Sequence, residues 1–145
     1  MGLFSFSKDS GDKAIDATAE NKANAATMMN TIQSYGFDVK DLDVEIDGDT
    51  AKIYGTAADQ ATREKVMLTV GNTKGIAKVE DKMVTAAPAP EAKMHTVASG
   101  ESLSKIAKKY YGDAMKYNII FEANKPPLSD PDKIYPGQVL RIPEL

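Results

Sequence analysis

The sequence predicts an α+β fold built from two small modules. An Ala/Pro run, Ala86-Ala87-Pro88-Ala89-Pro90-Glu91-Ala92, interrupts the apolar pattern. Proline fixes φ and favours extended backbone, so this run reads as a semi-rigid linker. Before it, apolar residues follow helix, strand, strand, helix and strand periods; after it, strand, helix, helix and strand. The expected division is an N-terminal segment docking on the first module (1–21), the first module (22–85), a linker (86–93) and the second module (94–145).

In the first module, Ala25, Met28, Met29, Ile32 and Tyr35 recur at helical spacing, and Gly36 can end that helix. Leu42, Val44 and Ile46 alternate with Asp43, Glu45 and Asp47, the pattern of a half-buried strand. Asp47-Gly48-Asp49 turns the chain into a return strand through Ala51, Ile53 and Gly55. Asp59 is placed to cap a helix through Thr62, Val66, Met67 and Val70, with Gly71 in position to close it. Ile76, Val79, Met83 and Val84 then read as one last strand. In the second module, His95-Thr96-Val97 is a short strand and Ser102 caps a helix with Leu103, Ile106, Ala107 and Tyr110 on one face. Gly112 ends it. A second helix runs through Tyr117, Ile120 and Phe121 to Asn124, where Pro126-Pro127 forbids continuation. Pro136-Gly137 makes a type II turn before a closing strand, Val139 to Ile142.

Composition narrows the function. The 145 residues carry 18 Lys and Arg against 21 Asp and Glu, a net charge of −3, with one His and no Cys. A dedicated nucleic-acid binder would be basic, and no apolar run approaches the ~20 residues of a membrane span. Without Cys there is no thiolate metal site, disulfide or Cys nucleophile. A Ser–His–Asp arrangement could use only His95, which reads as a packed or exposed strand residue, so the chain is expected not to be an enzyme. Residues 1–90 carry −4 and residues 91–145 carry +1, and the negative N-terminal half disfavours an anionic lipid surface as partner. Modules this small bury only ~60% of their unfolded surface, so contact between them would stabilise both.

The N-terminus, MGLFSFSKDS, has no apolar h-region of ~7–15 residues, so no secretory leader is read and a cytoplasmic address is expected. Gly2 does not make a myristoylation signal, because Phe6 stands where Ser or Thr is needed. The simplest role for Leu3, Phe4 and Phe6 is to dock on the body of the protein. Asp43, Glu45, Asp47 and Gly48 imitate the first half of a calcium loop, but the twelfth position is Tyr54 instead of a bidentate Glu. The acidic residues therefore read as the solvated face of a strand.

Several motifs carry resemblances. The hairpin ending in Ile53-Tyr54-Gly55, the following helix and Gly75-Ile76-Ala77-Lys78-Val79 resemble the bacterial BON domain. HTVASGESLSKIAKKYYG, FEANKP and DKIYPGQVLRIP together resemble a LysM domain across 94–143. That second likeness implies a groove for N-acetylglucosamine polymers. It leaves open an envelope protein that binds peptidoglycan, or a LysM fold kept as a structural partner; the absence of a leader favours the latter. The whole chain, from MGLF through Val70-Gly71-Asn72 to IYPGQVLRIP, resembles the bacterial cytoplasmic potassium-binding proteins. The resemblance implies one K⁺ held selectively by backbone carbonyls, compaction on binding, and a sensing or buffering role.

Carried over by position, the carbonyls are those of Ser7, Lys8 and Ser10 with those of Gly71, Thr73 and Ile76. The better-known members tend to have apolar or small residues at the positions of Ser7, Ser10 and Thr73. Side-chain identity is nearly silent about such a site, because carbonyls belong to every residue type and can replace the water shell of K⁺. Gly71 and Gly75 bracket a loop able to turn several carbonyls inward, but from spacing alone they read first as a helix cap and a strand entry. Monomer is the default oligomeric state.

Overall fold

The computed structural model describes residues 2–5, 21–73, 75–87, 89, 92–125, 128 and 130–144. Helix α1, Asn21–Ser34, buries Met28 and Ile32, one turn apart, and stops where Gly36 N–H meets the Gln33 carbonyl at 3.1 Å. Strands β2, Val39–Asp47, and β3, Thr50–Asp59, form the expected antiparallel hairpin. Val44 and Ile46 point into the core, while Asp43, Glu45 and Asp47 are exposed. The register shifts between Lys40 and Asp43, and Gly55 lies against that bulge at φ 140°. A Cβ on Gly55 would stand 3.0 Å from the Lys40 carbonyl and 3.2 Å from the Leu42 Cα, so only glycine fits there.

Helix α2, Gln60–Gly71, starts as expected: Asp59 Oδ1 accepts the Thr62 N–H at 2.7 Å. Its end differs from the expectation. Gly71 is the last helical residue, and the cap is Asn72 at φ −82°, outside the left-handed region. Asn72 N–H reaches the Leu68 carbonyl at 2.8 Å, so the ordinary helical bond closes the turn and no left-handed residue is needed.

The single last strand is divided into β4, Lys78–Asp81, and β5, Val84–Ala87. Both pair in parallel with β3, and the register is continuous: Ile53 faces Asp81 and Thr56 faces Val84, three residues on along both strands. Two contacts of Asp81, one near and one far along the chain, mark the break. Asp81 turns its carboxylate back to accept the Met83 N–H at 3.0 Å and to pair with Arg63 Nε at 2.8 Å. Beyond the break, Ala86 and Ala87 belong to β5, inside the segment expected as linker. Strand β1, Gly2–Ser5, adds antiparallel to β4 and gives the order β1-β4-β3-β2. Phe6 lies outside the described residues. Met28 and Ile32 from α1, Val44 and Ile46 from β2, Ile53 from β3 and Val66, Met67, Leu68 and Val70 from α2 share one core.

The C-terminal half has the expected order. Strand β6, Lys93–Thr96, pairs antiparallel with β7, Val139–Ile142, around α3, Leu103–Tyr111, and α4, Tyr117–Asn124. Ser102 Oγ accepts the Lys105 N–H at 3.2 Å, and Gly112 closes α3 at φ 75°. A 3-10 turn, Ala114–Lys116, leads into α4. Leu103, Ile106, Ala107, Ile120, Leu140 and Ile142 make a second core.

The two halves are joined through β7, whose four residues are all buried. Val139 belongs to the core of the first half, although its strand belongs to the second. Arg141, 8% exposed, points at Glu64 of α2, 4% exposed, with Nε 2.8 Å from Oε1. The second Glu64 oxygen accepts Gln60 Nε2 and the Ala92 N–H, each at 3.0 Å. Arg141 Nη1 donates to the Ala123 carbonyl at 2.9 Å. Lys65 Nζ adds a bond of 2.7 Å to the Lys125 carbonyl. Burial lowers the Lys65 pKa, and the neighbouring Arg141 lowers it further.

Candidate functional site

The loop from Gly71 to Ile76 leaves the end of α2 and enters β4. Gly71, Thr73 and Ile76 are all buried. Thr73 hangs its side chain inward: Oγ1 donates to the Thr69 carbonyl at 2.9 Å and touches Met28 Sδ at 3.7 Å. Its N–H bonds the Val70 carbonyl and its carbonyl accepts the Ile76 N–H, both at 3.1 Å. A carbonyl oxygen has two lone pairs, so that bond leaves the Thr73 oxygen able to serve a second partner. Gly75 stands at φ 101°, which a residue with a Cβ rarely adopts; this is the one glycine in the loop that the backbone demands. The loop thus carries Gly71, Thr73 and Ile76 within six residues, and a hydrogen bond joins Thr73 to Ile76. Ser7, Lys8 and Ser10 lie outside the described residues.

The register of β1 bears on that second group. Gly2 faces Asp81 and Ser5 faces Lys78, so β1 runs toward the start of β4. It ends beside the residues that follow the loop. The end of β1 therefore meets the start of β4, the strand that the loop enters. Neutral carbonyl dipoles suit a weakly hydrated monovalent cation, whereas calcium asks for carboxylates.

The acidic residues of β2 do not form an alternative. Asp43 Oδ1 accepts the next N–H, of Val44, at 3.0 Å, and Glu45 Oε2 accepts the Tyr54 hydroxyl at 3.3 Å. Burial and the neighbouring Glu45 raise the Tyr54 pKa. Among the described residues, no three His, Asp or Glu side chains are grouped to hold a metal. His95 is a packed residue. Its Nδ1 is 2.9 Å from the Tyr110 hydroxyl and its Nε2 2.8 Å from Glu101 Oε1. The Ala98 N–H and then His95 hold the Glu101 carboxyl below its ordinary range. No helix among the described residues is long and apolar enough to cross a membrane.

Sequence reasoning missed the residue that ties this loop to the second half. Asn72 donates from Nδ2 to the Val139 carbonyl and accepts the Val139 N–H at Oδ1, both at 2.9 Å. Its carbonyl accepts the Tyr135 hydroxyl at 3.3 Å. Asparagine after a helix signals only a stop, and nothing in the linear order announces a partner sixty-seven residues away. Glu64 and Arg141 were missed for the same reason: the helix and strand patterns contain them but do not announce a partner across the junction.

Residues 95–143 match the model of the LysM domain. Over 148 aligned residues the chain is 45% identical to the potassium binding protein Kbp of Escherichia coli O6:H1, covering 99% of each. It is 31% identical over 116 residues to the uncharacterized protein YqbP of Bacillus subtilis, covering 74% of this chain and 45% of that one. An uncharacterized protein of Deinococcus radiodurans shares 56% identity over 50 residues, 34% of this chain and 19% of its own. The end-to-end likeness, the LysM match and the α+β architecture agree, and the chain belongs to the family of the potassium binding protein Kbp.

Proposed function

We propose that this chain binds one K⁺ selectively through backbone carbonyls, and that it serves as an intracellular potassium sensor or buffer, with no catalytic step. The observation that carries the reading is the register of β1, which ends at Ser5 opposite Lys78, beside the loop of Gly71, Thr73 and Ile76. Strand β1 thus ends opposite a residue two positions after Ile76, the last of the three buried carbonyl-bearing residues. Ser7, Lys8 and Ser10 are the proposed second half of the ligand set. The family relative that is named for potassium binding supports the choice of ion. The packed state of His95 supports a binding protein over an enzyme.

The mechanism is one of order. Without an ion, carbonyl dipoles turned toward one another repel. With K⁺, they gain a common partner, and the chain after β1 is tied to the loop. A ligand that binds only the ordered form stabilises it by RT ln(1 + [L]/Kd), about 2.7 kcal/mol at 100-fold excess over Kd. That is a large increment for modules of this size.

Isothermal titration of the ion-stripped full chain with KCl, and separately with NaCl at constant ionic strength, tests the proposal. A saturable one-site response to K⁺ alone is expected. Equal responses to the two salts, or none to either, would overturn it and turn attention to binding of cell-wall sacculi through the LysM module.

A further inference from the structure

We propose that Asn72 couples the ion-holding loop to the C-terminal module, so that K⁺ in the loop tightens the seat of Val139 in the first core. The inference rests on the K⁺ reading above and adds to it the residue through which occupancy is felt at a distance.

Asn72 stands between Gly71 and Thr73, two of the proposed ligands, and is not itself one of them. Its carbonyl is turned to the Tyr135 hydroxyl at 3.3 Å. Its side chain makes both bonds that a neighbouring strand residue would make to Val139, N–H to Oδ1 and carbonyl to Nδ2, each at 2.9 Å. Strand β6 presents Thr96 opposite Val139 on the other side. The Asn72 amide thus acts as a one-residue strand on the outer edge of β7, while the Val139 side chain fills the first core. One residue has its backbone between two ligand carbonyls and its side chain on the other module.

A paired amide contact is sensitive to orientation, since hydrogen bonds weaken steeply once the donor angle falls below ~120°. When the carbonyls on either side of Asn72 turn to a common ion, the backbone between them has one setting, and the amide meets both Val139 groups at once. The other polar contacts across the junction leave from earlier in α2. Glu64 to Arg141 and Lys65 to the Lys125 carbonyl begin two turns before the loop, and neither is built on a ligand residue. They fasten the modules; Asn72 reports on the loop. Coupling is reciprocal, so a seated C-terminal module must raise K⁺ affinity by the factor by which K⁺ favours seating.

The test uses the full chain at matched ionic strength in KCl and in NaCl. In wild type, exchange of the Val139 amide, followed by NMR, is expected to be ~5–150-fold slower in KCl. In Asn72→Ala, a one-site K⁺ isotherm is expected to remain, weakened by about that same factor. Its radius of gyration in solution scattering should no longer differ between the two salts. Lys65→Met removes a junction contact remote from the loop and is expected to keep the K⁺-dependent change in radius. Asn72→Asp keeps the acceptor for Val139 N–H and loses the donor; it should give an intermediate factor and serves if the alanine variant fails to fold. Equal Val139 exchange in both salts, in wild type that titrates with K⁺, would overturn the coupling alone. So would an Asn72→Ala protein whose radius still responds as wild type does. A wild type with no K⁺ isotherm would overturn the K⁺ reading itself, and the coupling with it.

Discussion

Glu64 Oε1 lies 2.8 Å from Arg141 Nε, although the two residues are 77 positions apart and belong to different modules. Both are nearly excluded from water, and every oxygen of the carboxylate is engaged. A buried pair of this kind returns little net stability, because desolvation offsets the attraction; breaking it by removing one partner is what costs. Arg141→Leu leaves Glu64 buried beside only neutral donors and is expected to destabilise the chain by about 3–5 kcal/mol. The double variant Glu64→Met/Arg141→Leu should recover most of that loss. Urea unfolding of the three proteins checks both statements, and a double variant no better than the single one would show that the pair contributes more than charge balance.

Asp59 gives a prediction with a pH sign. Its bonds to Thr62 hold its carboxyl below the ordinary value of 3.8. A carboxylate depressed in the folded state adds stability that is complete above the unfolded value and is lost as pH falls through the folded one. Asp59 is exposed, so the contribution is that of a solvent-screened cap, about 1 kcal/mol for replacement by Ala. Asp59→Ala should therefore be less stable than wild type at neutral pH, with the gap closing below pH 3.8. Denaturant midpoints measured at pH 7 and in strong acid test this; a gap that stays constant would mean that the charge on Asp59 is not what caps α2.

Local rules made most of the elements legible. The alternation of Val44 and Ile46 with Asp43 and Glu45, the Asp59 and Ser102 caps, and the Pro136-Gly137 turn all depend on neighbours within a few residues. What escaped the sequence is non-local. The division of the last strand depends on Asp81 folding back onto Met83 N–H and out to Arg63, which no hydropathy period encodes. The strand character of Gly2–Ser5 depends on an open β4 edge that exists only after the hairpin and α2 are in place. At the candidate site, the proposed ligand atoms are main-chain oxygens, so Gly75 alone left a trace, through a backbone angle that favours glycine. Asn72, Glu64 and Arg141 act across the junction, and their partners become neighbours only when both modules are folded.

That trace at Gly75 can be tested directly. With φ at 101°, a Cβ there is strained regardless of the space around it. Gly75→Ala is expected to cost about 1–3 kcal/mol, either as lost stability or as a loop that relaxes to another setting. A relaxed loop no longer aims the Thr73 and Ile76 carbonyls as before, so K⁺ affinity should fall with it. Ala77→Gly, two positions on and also in the loop-to-strand passage, makes no such demand on φ and should leave the affinity nearly unchanged. Titration of both variants with KCl separates the two; equal affinity in Gly75→Ala and wild type would remove the loop from the site.

The last prediction concerns the other half of the proposed ligand set. If Ser7, Lys8 and Ser10 contribute carbonyls, their side chains are dispensable and their backbone is not. Single Ser7→Ala, Lys8→Ala and Ser10→Ala variants should therefore hold K⁺ within about twofold of wild type, the small effect usual where no structural feature is removed. Deleting residues 1–10 takes away those carbonyls together with β1, and the K⁺ isotherm should vanish. The C-terminal module has its own core of Leu103, Ile106, Ile120 and Leu140, so its NMR fingerprint should persist in the truncated chain. A truncated protein that still bound K⁺ would confine the site to the loop after α2. A large loss in one alanine variant would instead assign a ligand role to that side chain, and the ion would then be held by a mixed shell instead of one made of backbone alone.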